Sequence, residues 1–278
     1  MRRLNIIFWD IADSMILINK HQYDKYIRFD NTGQYVAHYK NMTLRSVFQP
    51  IFSREKRIVG VEALVRIYTN GHRQIRPDLF FYSDQYNQVD QINVELLSRA
   101  IHIRNFANSP FKNIRLFLNL LPSVGQLLVQ NENLSCRLSN RINDLNLRRP
   151  QIVMEIVEQH SDDNELLKEA TQTLSNYGFH IAVDDYGSQA SNSDRVDLIS
   201  PDIIKFDRTL LMRYMNGDTS PLLDAIEVAQ NANAKTVVEG IETEQQFEAM
   251  KALNLNMYQG YFLGTPERVM PRVQLACG

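Results

Sequence analysis

From residue 45 onward, short β-branched runs alternate with longer amphipathic stretches, and this alternation is what most restricts the fold. Eight runs read as strands: SVFQPIF (46–52), RIVGVEALVRI (57–67), IRLFLNLL (114–121), QIVMEIVE (151–158), HIAVDDYG (180–187), DIIKFD (202–207), KTVVEGIE (235–242) and MYQGYFLG (257–264). Helical patterns separate most of them: NELLKEATQTLSNYG, with Gly178 as a C-terminal stop, PLLDAIEVAQNANA, with Pro221 near its start, and EQQFEAMKALN. Only SREK separates the first two strands, so they form a hairpin and run antiparallel. Strands alternating with helices imply a mostly parallel sheet, and eight in about 230 residues suggest a (β/α)8 barrel. The alternative is an open doubly wound sheet. No G-x-G-x-x-G follows the first strand, which removes the usual reason to prefer a dinucleotide fold.

Composition allows a large core, with 44% hydrophobic and 22% charged residues. A formal charge of −2 without a basic run argues against long nucleic acids as partners and leaves room for a small phosphorylated ligand. Cys136 and Cys277 do not make a disulfide framework, and a reducing cytoplasm fits them best. The opening MRRLNIIFWDIADSMILI resembles a signal peptide, but Asp10 and Asp13 interrupt it and no apolar run approaches the roughly 18 residues of a membrane span. Residues 1–44 are expected to form an accessory segment: a short helix, then a hairpin over KYIRFDNTGQYVAHY turning at Asn31 to Gly33. Residues 45–278 hold the barrel.

Six of these strands carry a polar residue of interest, and side chains alternate faces along a strand. Glu62 shares a face with Gly60 and Leu64, Asn119 with Phe117, Glu155 with Val153, Asp184 with Ala182, Lys205 with Ile203, and Glu239 with Val237. If those faces point inward, six polar groups converge near the barrel's C-terminal mouth, where barrel enzymes keep their chemistry. Three glutamates, the Asp184–Asp185 pair, an asparagine and one lysine make a crowded, oxygen-rich site whose excess negative charge repels itself unless cations fill it. Oxygen donors without histidine or thiolate favour Mg²⁺ or Mn²⁺ over zinc. Adjacent aspartates suit two ions about 3.5 to 4 Å apart, an arrangement that stabilises in-line attack on phosphorus.

These residues resemble the EAL domain, a family of cyclic di-GMP phosphodiesterases named for the tripeptide that stands here as Glu62, Ala63, Leu64. The likeness runs from about Phe48 to Pro266 through FQPI, VEALVR, LNL, EIVE, VDDYGS, PDIIKFD, VEGIE and YQGYFLGTP, in order. It implies a modified (β/α)8 TIM-like barrel with an antiparallel first strand, hydrolysing cyclic di-GMP to linear pGpG and so acting in biofilm and motility signalling. Residue by residue, it implies that Glu62, Asn119, Glu155 and Asp184 bind one metal, while Asp184, Asp185 and Glu239 frame the second. Lys205 would orient the attacking water and neutralise phosphate charge, with Gln259 near the same water. Gln49, Leu64 and Arg66 would contact the nucleotide, Arg66 by a charge-assisted bond to phosphate. Glu242 and Glu158 would support these groups, Glu158 by holding the loop after Asp185.

The departures lie beside the metals. Where the family usually reads D-D-F-G-T-G, this chain reads Asp184, Asp185, Tyr186, Gly187, Ser188, Gln189, so a side chain replaces a flexible glycine. Leu120, Leu121 and Pro122 follow the asparagine where the family tends to have a serine. Taken singly, Glu62 is an edge or ion-paired carboxylate, the Asp pair a solvated turn, Arg66 a surface ion-pair residue, Gln259 a strand cap, and Lys205 a snorkelling side chain. His160 and His180 lack metal-ligand spacing. Three functions compete: an active phosphodiesterase, a non-catalytic cyclic di-GMP receptor, and a protein-binding regulator. Chemistry without the family also admits an enolase-like proton abstraction by Lys205 beside Mg²⁺. A homodimer formed through the segment after Ser188 to Asp194 is expected, and the N-terminal segment is a candidate for docking a protein partner.

Overall fold

The computed structural model describes residues 16–17, 19–69, 73–156, 164–188 and 193–269. They divide into two compact units, one drawing on the chain up to Ser46 and on Val65–Asn105, the other on Val47–Leu64 and Phe106–Val269. Glu158, Gln189, His160 and Cys277 lie outside the described residues. None of the described helices is long and apolar enough to cross a membrane.

The smaller unit opens with α1 (Lys20–Tyr26) and the strands β1 (Ile27–Phe29) and β2 (Tyr35–Tyr39). These strands form the expected hairpin, with Ile27 opposite Ala37 and Phe29 opposite Tyr35. Asp30 Oδ1 accepts from the Thr32 amide at 3.0 Å, and Gly33 takes a φ of 79° that a side chain would resist. The start of β3 (Met42–Phe52) and the end of β4 (Ile58–Thr69) follow, then β5 (Gln74–Ile75), α2 (Pro77–Tyr82) and most of α3 (Gln88–Ala107). Val94, Leu97 and Ile101 of α3 pack with Leu44, Ile67 and Phe80. A buried polar stripe accompanies them on the same helix: Asn93, Glu95, Arg99, His102 and Asn105. Asn93 donates to the Tyr39 hydroxyl at 3.0 Å, and Glu95 pairs with Arg99.

His102 Nδ1 lies 2.8 Å from the Ser46 hydroxyl, and burial, reinforced by the charges of Arg99 and Arg66, pushes its imidazole down to about 3. In the unfolded chain the ring titrates near its ordinary value of about 6.5. Below that pH only the unfolded state takes up the proton, so stability present above about pH 6.5 is lost as pH falls towards 3, with about 2 kcal/mol gone by pH 5. His102→Gln should lose less stability than the wild type between pH 7 and pH 5 in urea unfolding. Identical losses would show that His102 does not supply this slope.

The larger unit is a closed barrel of eight strands. Their order is β3, β11 (Met257–Tyr258), β10 (Lys235–Val238), β9 (Ile203–Phe206), β8 (His180–Tyr186), β7 (Ile152–Ile156), β6 (Arg115–Leu120) and β4, with β4 paired back to β3. Seven strands run parallel and β3 runs against them, pairing antiparallel with β11 at Phe52 and Tyr258. The eight runs read from the sequence all appear, and the first strand is the antiparallel one. Between strands lie α4 (Pro122–Gln130), α5 (Glu132–Asp144), α6 (Asn164–Asn176), α7 (Ser193–Ile199), α8 (Arg208–Met215), α9 (Ser220–Asn231) and α10 (Glu244–Ala252).

The inward faces are those that the alternation assigned. Ile51, Phe117, Val153, Ala182, Ile203, Val237 and Met257, one from each of seven strands, form a single buried cluster. The eighth strand contributes Gly60, where an added Cβ would lie 2.8 Å from the Phe117 ring. Glycine there gives the phenylalanine room to fill the axis. Each fully buried Ile, Val, Phe or Met of this layer contributes roughly 1.5–3 kcal/mol, so the layer is a firm floor for the residue two positions on in the parallel strands and two positions back in β3.

β10 and β11 are much shorter than the sequence suggests. β10 ends at Val238, and β11 is only two residues long because the chain from Gly260 turns tightly, Leu263 and Gly264 both donating to the Gly260 carbonyl. β4 is longer, running to Thr69, and Glu62 is its fifth residue of twelve.

Candidate active site

Above the apolar floor, the next inward position of each barrel strand is polar. These are Gln49, Glu62, Asn119, Glu155, Asp184, Lys205, Glu239 and Gln259. Lys205 is their centre. Its strand is buried at all four positions, and its side chain is 1% exposed. The ammonium lies 2.6 Å from Glu155 Oε1, 2.7 Å from Glu239 Oε1, 2.8 Å from Asp184 Oδ1 and 3.6 Å from Glu62 Oε2. The strand lysine that would ordinarily snorkel to water is instead held by four carboxylates. Burial alone would depress its pKa, but Asp184, Glu155, Glu239 and Glu62 outweigh burial and hold it well above the usual lysine range.

The carboxylates move in the opposite sense. Burial, helped by repulsion from Glu62 and Asp184, raises Glu155 well above the ordinary range despite Lys205. Burial likewise pushes Glu239 up to about 8. Asp185 rises to about 6 through burial and then the charge of Asp184.

In a regular strand, Asp184 and Asp185 would face opposite sides. Here the pairing of β8 with β9 slips between Val183 and Tyr186, and Asp185 takes a φ of 52°. A bulge of this kind re-aims a side chain. One carboxylate oxygen from each of Asp184, Asp185 and Glu239 lies within 4.8 Å of the others, a grouping able to hold a metal ion. Glu239 follows the last residue of β10, its amide donating to the Phe206 carbonyl at 3.1 Å. Asn119 is directly opposite Glu155 in the β6–β7 register.

Gln259 donates from Nε2 to Glu62 Oε2 at 2.7 Å, while its buried Oε1 accepts no hydrogen bond. Gln49 donates to the Gly264 carbonyl at 3.2 Å, tying β3 to the turn after β11. That turn needs Gly260, since an added Cβ would sit 2.1 Å from the Ile241 carbonyl oxygen. Leu64 and Arg66 continue β4, both partly buried, and Arg66 donates to the Val65 carbonyl at 3.2 Å. Glu242 is exposed and accepts from Arg208 at 2.7 Å.

Arg208 carried no signal in the sequence, because its packing partner is a missing side chain. Gly240 has a φ of 70°, and a Cβ there would lie 2.5 Å from Arg208 Cγ. The stem of Arg208 fills that notch while its guanidinium holds Glu242.

The donor set can hold divalent cations. It is oxygen-only, and Glu155 Oε2 is buried without a hydrogen-bond partner. Glu62, Glu155, Asp184, Asp185 and Glu239 set five carboxylates against one ammonium. When all are ionised, the four surplus negative charges equal the charge of two divalent ions.

A family model described as EAL domain matches residues 35–266. The chain is 28% identical over 232 residues to the oxygen sensor protein DosP of Escherichia coli (strain K12), covering 81% of this chain and 28% of that protein. It is 26% identical over 219 residues to the cyclic di-GMP phosphodiesterase RocR of Pseudomonas aeruginosa, covering 75% of this chain and 53% of that one. It therefore spans between 28% and 53% of these relatives' length. Among solved structures, the Bacillus subtilis YkuI protein, with an EAL domain and in complex with substrate c-di-GMP and calcium, superposes with a TM-score of 0.70 at 25% identity over 81% of this chain and 56% of that one. The Klebsiella pneumoniae BlrP1 manganese/cy-diGMP complex shares the fold at 21% identity, TM-score 0.69, over 81% of this chain and 56% of that one.

Proposed function

The chain belongs to the EAL domain family, and on that premise we propose that it hydrolyses cyclic di-GMP to linear pGpG with two Mg²⁺ or Mn²⁺ ions, lowering a messenger of biofilm and motility signalling. The observation that carries this reading is the buried ring of carboxylates around Lys205, whose surplus charge matches two divalent ions. Glu62, Asn119, Glu155 and Asp184 would hold one ion, and Asp184, Asp185 and Glu239 the other. Bound there, the ions supply Lewis acidity to the phosphate and lower the pKa of a water.

The protein's own groups then have distinct tasks. Lys205 orients the attacking water and offsets charge developing on phosphate, which preorganised cations do at little reorganisation cost. Glu239, within 2.7 Å of that ammonium, borders the same water. Gln259 Oε1, which accepts no hydrogen bond from the protein, is open to receive one from it. Gln49, Leu64 and Arg66 contact the nucleotide, Arg66 through phosphate. Glu242 steadies the chain after Glu239 through Arg208. Assembly as a homodimer, a cytoplasmic site of action and partner docking through residues 1–44 belong to the same reading.

Chromatography of cyclic di-GMP incubated with the protein and Mg²⁺ or Mn²⁺ should show pGpG accumulating. Binding of cyclic di-GMP without pGpG under either metal would establish a receptor instead, with Gln189 the first residue to restore to glycine.

A further inference from the structure

We infer that the end of the barrel opposite the carboxylate cluster docks on an anionic phospholipid surface. The topology gathers cations there, because β3 runs against its neighbours and the β3–β4 hairpin therefore emerges where the other strands begin. That hairpin carries Arg54, Lys56 and Arg57, all exposed. Lys112 precedes β6, the exposed Arg148 precedes β7, and the exposed Lys235 begins β10. The half-buried Arg115 and Arg149 stand behind them. Opposing carboxylates at this end include Glu55, which pairs with Arg57, Asp202, Asp144 at the end of α5, Asp197 in the last turn of α7, and Glu248, which pairs with Lys251. In a chain of net charge −2, this face is a positive concentration.

Two further features select a membrane over other polyanions. An exposed apolar side chain stands among the basic residues: Ile58 follows Arg57 and is 37% exposed. Peripheral membrane attachment needs this combination of apolar insertion and attraction to anionic lipid. An aliphatic Ile58 offers no face on which a nucleobase could stack. The same end also opens into a cleft of about 340 Å³ lined by Gln230, Asn233, Thr236 and Asn254, with Arg54 bonded to Asn254 at 2.9 Å. Its amide donors and flanking cations suit a phosphate headgroup. Docking by this face uses none of the residues of the carboxylate cluster, which stand at the other end of the barrel strands.

The test is sedimentation of the full chain with phosphatidylcholine vesicles containing or lacking phosphatidylglycerol, at low and high salt. The protein should partition to the anionic vesicles alone and be released by salt. The combined variant Arg57→Glu, Arg148→Glu and Lys235→Glu, all at exposed positions, should bind at least ~100-fold more weakly with unchanged circular dichroism and melting temperature. Equal partition onto both vesicle types, or retention of binding by the variant, would overturn the inference. Tighter binding to polyuridylate, displacing the protein from vesicles, would also overturn it and make this a nucleic-acid surface.

Discussion

Lys205→Ala is expected to cut hydrolysis of cyclic di-GMP by at least about 100-fold, the scale on which one electrostatic or acid–base contributor acts. Substrate affinity should change much less, because the nucleotide contacts assigned to Gln49, Leu64 and Arg66 remain. The structure adds a second consequence. Lys205 is the ammonium held by Glu62, Glu155, Asp184 and Glu239. Removing one partner from a buried ion pair costs about 3–5 kcal/mol, because the remaining charge is left uncompensated. The metal-free variant should therefore unfold at lower denaturant than the wild type, and Mg²⁺ should recover more stability in the variant. Turnover is to be normalised to folded protein, so that loss of chemistry and loss of fold are read separately. A folded Lys205→Ala protein with normal turnover would refute the role assigned to the lysine.

The alternation of strands and helices made the barrel readable, and the period of two made its interior readable. Phe117, Val153, Ala182, Ile203 and Val237 were placed beneath the polar residues by counting two positions back, and they form one buried cluster. Counting fails where backbone geometry departs from the regular strand. The displacement of Asp185 depends on a slipped register and a left-handed residue, neither of which has a periodic signature. The shortness of β11 depends on the Gly260 turn against Ile241, a contact between segments far closer in space than the apolar run of Tyr261, Phe262 and Leu263 suggests. Convergence of the charges, Lys205 among them, could be foreseen, but not that four carboxylates would close on the lysine itself. The sequence suggests that cations must fill the cluster, and the structure shows that part of that task falls to the chain's own lysine.

That division of labour shapes the expected response to metal. Lys205 offsets one of five carboxylates, and burial followed by mutual repulsion raises Asp185 to about 6 and Glu239 to about 8, so the cluster is tolerated in the fold without ions, while the proposed chemistry still needs them. Thorough chelation should therefore reduce turnover to background without unfolding the protein. Mg²⁺ or Mn²⁺ should restore it, whereas Ca²⁺ should restore little, because a larger ion that tolerates irregular coordination sets water and phosphate less strictly. Binding has its own signature, since an ion that binds the folded state alone at 100 times its Kd adds about 2.7 kcal/mol of stability. Ca²⁺ should produce that stabilisation without the turnover. Asp184→Asn, which alters the carboxylate assigned to both ions, should lose both effects, while turnover that survives complete removal of divalent cations would exclude the two-metal reading.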